Sequence, residues 1–261
     1  MNLLTVLTLC ILSSVQLTNE QQVAVLKEAQ SAYDNGVSLQ TADPVAAKES
    51  FRRSAQRFQI LVDDGVENGK LLYNLGNANV QAGQIGEAIA AYRIASRYIP
   101  SDGRLRGNLA HTRSLVHNPF EKNKSKSLLT RLTFWHDSLP TGARLGLGMI
   151  CWVAFWGLLS VHIFISIPGF KTASTFLGFF AIVLSVSVGV DIVDQDTKYG
   201  VIATDEVIVR KGNGTNYSPM LNEPIGEGVE FEIIEQRPDW IHILLPNGTK
   251  GWVEEEAALH V

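Results

Sequence analysis

Cysteine is nearly absent: the chain has two, Cys10 in an apolar N-terminal run and Cys151 in a long apolar stretch. They can build neither a disulfide framework nor a thiolate metal site. The six histidines, His111, His117, His136, His162, His242 and His260, show no His-x-x-x-His spacing and no triad setting. No phosphate-cradling glycine loop is present, since Gly212-Asn-Gly-Thr lacks the following lysine and helix. The carboxylate runs Glu254-Glu255-Glu256 and Asp191, Asp194, Asp196 read as solvated faces rather than metal cages. These absences point to a chain that is not an enzyme and carries no metal or cofactor.

Charge is missing from one place in particular. Leu145 to Ile167 contains no charged side chain when His162 is neutral. As a helix it would measure about 34 Å, against about 30 Å for a hydrocarbon core. Pro168-Gly169-Phe170-Lys171 breaks the run, and Thr172 to Val190 is again uncharged until Asp191. Transmembrane helices over 145–167 and 172–190 are expected, joined as an antiparallel hairpin because lipid permits no exposed irregular backbone. Two crossings return the chain to its starting side, so the flanking regions should share one compartment.

The N-terminus, 1–18, reads as an export signal. Met1 to Leu17 has the length of a secretory apolar region, although no Lys or Arg precedes it and no clean small-x-small pair follows. Cys10 sits there as a small apolar filler. Residues 191–261 hold five Lys/Arg and fourteen Asp/Glu, a net of −9, so with −4 overall the first 190 residues carry +5. Nucleic acid is not an expected partner of so acidic a region. The basic excess gathers at Arg104, Arg106, Arg113, Lys122, Lys124, Lys126 and Arg131, and either meets anionic headgroups or is a solvated linker. Within the linker 119–144, Leu128, Leu129, Leu132, Trp135 and Leu139 share one face, which fits an interfacial amphipathic helix. Trp135 and Trp152 suit a headgroup belt.

Residues 20–118 show helical periodicity. Val23, Leu26, Ala29, Ala32 and Tyr33 make one apolar face, which Gly36 weakens near its end. Asp43-Pro44 is an N-cap with proline at the first helical position, and Ala47, Phe51, Ala55, Phe58 and Leu61-Val62 form the next buried stripe. Asn74-Leu-Gly-Asn-Ala, Gly83, Ala88, Tyr92, Ala95 and Pro100 then recur at fixed steps. This pattern resembles a tetratricopeptide repeat, with Gly76 and Ala88 small where two helices cross, Tyr92 filling the groove and Pro100 ending the second helix. The pair before it resembles a degenerate repeat, and 103–116 a solvating end helix. The resemblance implies a concave groove for a peptide or a partner's helix. Its positions here are Lys70, Tyr73, Asn74, Asn77 and Gln81.

Residues 199–261 change period to short strands: Val201-Ile-Ala, Val207-Ile-Val, Val229 to Ile234, Trp240 to Leu245, and Gly251-Trp-Val. Asn247-Gly248 is a two-residue hairpin signal between the last two. Val207-Ile-Val-Arg-Lys-Gly, Gly226-Glu-Gly-Val-Glu-Phe, Asp239-Trp-Ile-His-Ile and Leu245-Pro-Asn-Gly-Thr-Lys-Gly-Trp-Val resemble a bacterial SH3 domain. Lys211 and the Asn222-Glu-Pro insert depart from that pattern. The resemblance implies binding of cell-wall peptide or protein docking. Trp240 and Trp252 are expected in the packing of a small barrel.

The fold class expected is therefore multidomain: an all-α tetratricopeptide-repeat module, a transmembrane hairpin and a small all-β SH3-like barrel. That order resembles the BatE-like proteins of bacterial aerotolerance operons, which accompany a MoxR-type ATPase and membrane-bound von Willebrand A proteins. The function implied is a membrane-anchored adaptor that recruits protein partners through the helical groove. The alternative is a cell-envelope module that grips peptidoglycan through the SH3-like region. Sidedness draws on opposed signals. Arg131 and Arg144 flank the first span and would hold the N-terminal region inside. The export signal and the BatE-like resemblance place both soluble regions outside the cytoplasmic membrane, in the periplasm, with Lys171 inside.

Overall fold

A computed structural model describes residues 16–117, 120, 139, 141–165, 167–195 and 198–261. The export-signal reading over 1–15 and the amphipathic face at 128–135 lie outside the described residues. Five helices come first: α1 (Asn19–Leu39), α2 (Pro44–Asp63), α3 (Gly69–Ala82), α4 (Ile85–Tyr98) and α5 (Gly103–Ser114). Each start but one has a side-chain cap. Thr18 and Gln21 form a capping box on α1, Asp43 accepts from the Ala46 amide, Asn68 caps α3 and Asp102 caps α5. Bonds from the Leu105 and Arg104 amides hold the Asp102 carboxyl below its ordinary range. Gly83, at φ +77°, ends α3 in the left-handed conformation.

The helices pack in chain order, through Ala29, Phe58, Leu71, Leu75 and Ala78 at one layer and Leu72, Ala88, Tyr92, Ala95 and Leu105 at the next. Gly36 is a close-packing point rather than a weak one: a Cβ there would sit 2.8 Å from the Phe51 ring. Val23, assigned to the buried face, is instead 65 % exposed, because the stripe of α1 turns on Ala29. Small residues let the helices approach and large ones fill the space left, the ordinary logic of ridge-and-groove packing.

Two longer helices follow, α6 (Thr141–Phe164) and α7 (Phe170–Gln195), with Gly169 at φ +91° in the turn between them. Both are long and apolar enough to cross a membrane, and only 6 % and 22 % of their apolar windows are buried in the protein. A core helix of that length would be mostly covered, and these two are not. The two helices pack on each other. Gly178 faces the Phe155 ring and Gly148 faces Leu184. Near the start of α6, Arg144 is 3 % exposed and reaches Ser187 (Nη1 to Oγ, 2.6 Å), the Leu139 carbonyl, Thr141 and Asp191. Helix α7 runs past the expected end at Val190, which places Asp191 on its last turns to meet Arg144.

The remainder is an antiparallel sheet: β1 (Tyr199–Ile202), β2 (Glu230–Arg237), β3 (Trp240–Leu244), β4 (Lys250–Glu254) and β5 (Ala258–His260), in the order β4-β3-β2-β1-β5. The alternating residues Phe231, Ile241, Ile243 and Val253 build its core with Ile202, Val209, Ile225 and Leu245. Val207-Ile-Val makes only isolated bridges, Val207 with Ile225 and Arg210 with Pro219 and Trp252, rather than a ladder. The C-terminal strand β5 was not expected. The β3–β4 connection is longer than a two-residue turn: five residues, Leu245 to Thr249, lie between the strands, the Leu245 amide donates to the Thr249 carbonyl, and Gly248 stands at φ +89°.

Candidate partner-binding faces

Lys70, Tyr73, Asn74, Asn77 and Gln81 fall at three- and four-residue steps, so α3 puts them on one face. The structure divides them. Lys70 and Gln81 are exposed, and Gln81 accepts from Gln40 Nε2 at 3.1 Å, joining the ends of α1 and α3. Tyr73, Asn74 and Asn77 are half-buried. Asn77 Oδ1 accepts from Tyr92 Oη at 2.7 Å and from Asn108 Nδ2 at 2.9 Å. Asn108 Nδ2 also donates to Tyr73 Oη at 3.1 Å. Asn77 thus spends its oxygen inside the protein and fixes the floor of the face. Lys70 and Gln81 supply its edge. Burial pushes the Tyr92 phenol well above its ordinary range, so it stays a hydrogen-bond donor. Gly76 and Tyr92 interlock, since a Cβ on Gly76 would lie 2.4 Å from the ring. Ala88 and Ala95 are fully buried beside them, and Pro100 stands two residues past the end of α4.

The sheet offers a second face. The His242 ring stacks on Trp252 at 4.7 Å and 8°, and the Arg237 guanidinium lies 4.8 Å from the Trp252 ring centre. Trp252 is 8 % exposed, which makes it a packing residue, while Trp240 is half-buried. Burial, with Lys250 and Arg237 nearby, lowers the His242 pKa, outweighing Glu235.

Sequence reasoning missed the contact between these two parts. β1, β5 and the turn before β2 pack on α4 and α5. Ile89, Ala90 and Val201 are buried together, with Ile85, Leu109, Val116, Leu259 and Val261 around them. Gly86 has no room for a side chain, because a Cβ would meet the Ile202 carbonyl at 2.4 Å. Gly228, at φ +84°, faces Val116, Ile85 and Ile89. Around this apolar patch, Glu230 takes a bidentate bond from Arg113 (2.7 and 2.8 Å) and another from Arg93 (2.8 Å). Arg93 also lies 4.5 Å over the Tyr199 ring. Burial alone would raise the Glu230 carboxyl, but Arg113 and Arg93 outweigh it and hold it below its ordinary range. The signal was present in α4: Ile85, Ile89, Ala90 and Ile94 leave it apolar on more than the side facing α3, as in a helix covered twice.

Among the described residues, no group of three or more His, Cys, Asp or Glu could hold a metal ion. The sheet's contacts on α4 and α5 leave Lys70 and Gln81 exposed. No protein-family model matches the chain. Over 53 residues it is 42 % identical to "Putative N-acetylmuramoyl-L-alanine amidase YrvJ" of Bacillus subtilis (strain 168). That similarity takes in 20 % of this chain and 10 % of the amidase, so it concerns one segment of each.

Proposed function

We propose that the chain is a membrane-anchored, non-enzymatic adaptor that recruits a protein partner on the α3 face. The observation that carries this reading is the face itself: Lys70 and Gln81 stand exposed above a floor held by Asn77, Tyr92 and Asn108. A floor already fixed by hydrogen bonds loses little side-chain entropy when a partner settles on it. The helix pairs then act as tetratricopeptide repeats, the sheet as an SH3-like barrel, and α6–α7 as a hairpin in the bacterial cytoplasmic membrane. The resemblance to BatE-like proteins makes von Willebrand A and MoxR-type proteins the first partners to test, with both soluble regions in the periplasm. A photo-crosslinking residue at Lys70 in the full chain should trap a discrete partner from intact cells, and one at the exposed Gln56 on α2 should not. Equal yields at the two sites would refute the α3 face as the docking site.

A second reading has a specific observation behind it. The similarity to an amidase, 53 residues long, is of the size of the sheet region 199–261. In this reading that region grips peptidoglycan while α6 and α7 hold it at the membrane. Purified full chain in mild detergent would then sediment with isolated cell wall, and a variant ending at Gln195 would not. Retention of both would place wall binding elsewhere.

A further inference from the structure

We infer that Glu227, seated against the start of α4 beside Glu87, makes docking of the sheet onto the helices depend on pH. Glu87 lies in the first turn of α4 and Glu227 in the turn before β2, so the pair straddles the junction. Glu227 Oε1 accepts from the Gly86 amide at 2.8 Å, which holds this carboxyl against the start of α4. Glu87 is the residue after Gly86, in the same first turn of α4. Glu87 Oε2 is buried without a hydrogen-bond partner among the described residues. Two ionised carboxylates side by side are both acceptors and repel. A proton on Glu227 turns an acceptor into a donor and removes the repulsion.

Among the described residues, the charges nearest Glu227 offer it no ion pair. Asp205 Oδ1 accepts from the Glu227 amide and adds a third carboxylate. His117, past the end of α5, lines the same depression as Asp205 and Gly226. Arg93 and Arg113, the cations of this interface, are committed to Glu230. The positive end of the α4 dipole and the Gly86 amide favour the anion. Burial, Glu87 and Asp205 oppose them, and the Glu227 carboxyl is raised above its ordinary value.

The sign follows by linkage. A carboxyl raised in the docked state binds its proton more tightly there. Its contribution to docking is full below the ordinary carboxyl range and is lost as pH rises through the raised value. Glu230, lowered in the docked state, works the other way and loses its contribution only at lower pH. Docking is therefore strongest between the two and loosens on the alkaline side through Glu227.

The test uses the full chain in lipid nanodiscs, with Cys10→Ser and Cys151→Ser and spin labels after Gln56→Cys and Thr215→Cys. Loss of the docked distance is followed in urea from about pH 5 to about pH 8. Raising pH should lower the urea midpoint, the undocked fraction growing by at most about tenfold per pH unit for one proton. Glu87→Gln and, independently, Glu227→Gln should flatten that dependence while leaving helicity unchanged. A wild-type midpoint that does not fall with pH overturns the inference, as does the same slope in both variants.

Discussion

Gly76 and Tyr92 set the register of the helical part, because nothing larger than hydrogen fits under the ring. Gly76→Ala should cost about 1–3 kcal/mol by overpacking, read as a lower thermal midpoint of helicity in micelles. Tyr92→Phe should cost less, about 0.5–1.5 kcal/mol, since Asn77 keeps its bond from Asn108. An unchanged midpoint in Gly76→Ala would mean that α3 and α4 cross elsewhere. His242 gives a pH prediction. Its lowered pKa means that the folded sheet binds the proton less tightly than the unfolded chain. Stability should thus fall as pH drops through the ordinary histidine value of 6.5, and His242→Gln should remove that fall. Thermal melts of the sheet's near-ultraviolet signal at several pH values provide the check. At this scale the sequence was informative where a residue acts on its chain neighbours, as Asp43 and Gly76 do. It was silent where the partner is distant, as for Glu230 with Arg93 and Arg113.

Among the elements, the α6–α7 pair was legible from length and apolarity, and its polar tether was not. Arg144 read as a flanking cation and Asp191 as a terminator, yet they meet beside Ser187 and Thr141. Removing Asp191 takes a carboxylate from the buried Arg144 guanidinium. Asp191→Leu should loosen the pair by about 3–5 kcal/mol, whereas Arg144→Met with Asp191→Leu should come out near neutral. Steric trapping of the helix pair in nanodiscs measures both, and equal losses in the single and double variants would show that the ion pair does not hold the helices. Strand reading failed in a related way. Val207-Ile-Val has strand composition, but Val207 exchanges its bonds with Ile225 and Val209 accepts from Met220, so no ladder forms and composition alone overstated it. β5 escaped notice because Ala258-Leu-His is short and its pairing with β1 is remote in sequence.

For the whole molecule, contact between the helices and the sheet sets a condition on topology. Parts that touch lie on one side of any membrane that α6 and α7 cross, which an even number of crossings satisfies. Impermeant maleimide should therefore treat cysteines placed at Gln56 and Thr215 alike and one placed at Lys171 oppositely. With both soluble regions in the periplasm, the first two label in cells with a permeabilised outer membrane and Lys171 does not. Labelling at only one of Gln56 and Thr215 would break the common-side arrangement, and labelling at Lys171 alone would invert it. The two connections to the hairpin differ greatly in reach. Gln195 and Lys198 are three residues apart, no more than roughly 10 Å of chain, while Ser114 and Thr141 are 27 positions apart in the sequence. The short connection fixes the sheet's distance from the end of α7 most closely, and the Glu230 fork with the Ile89 patch makes the sheet the seat through which the helices are held at that same distance.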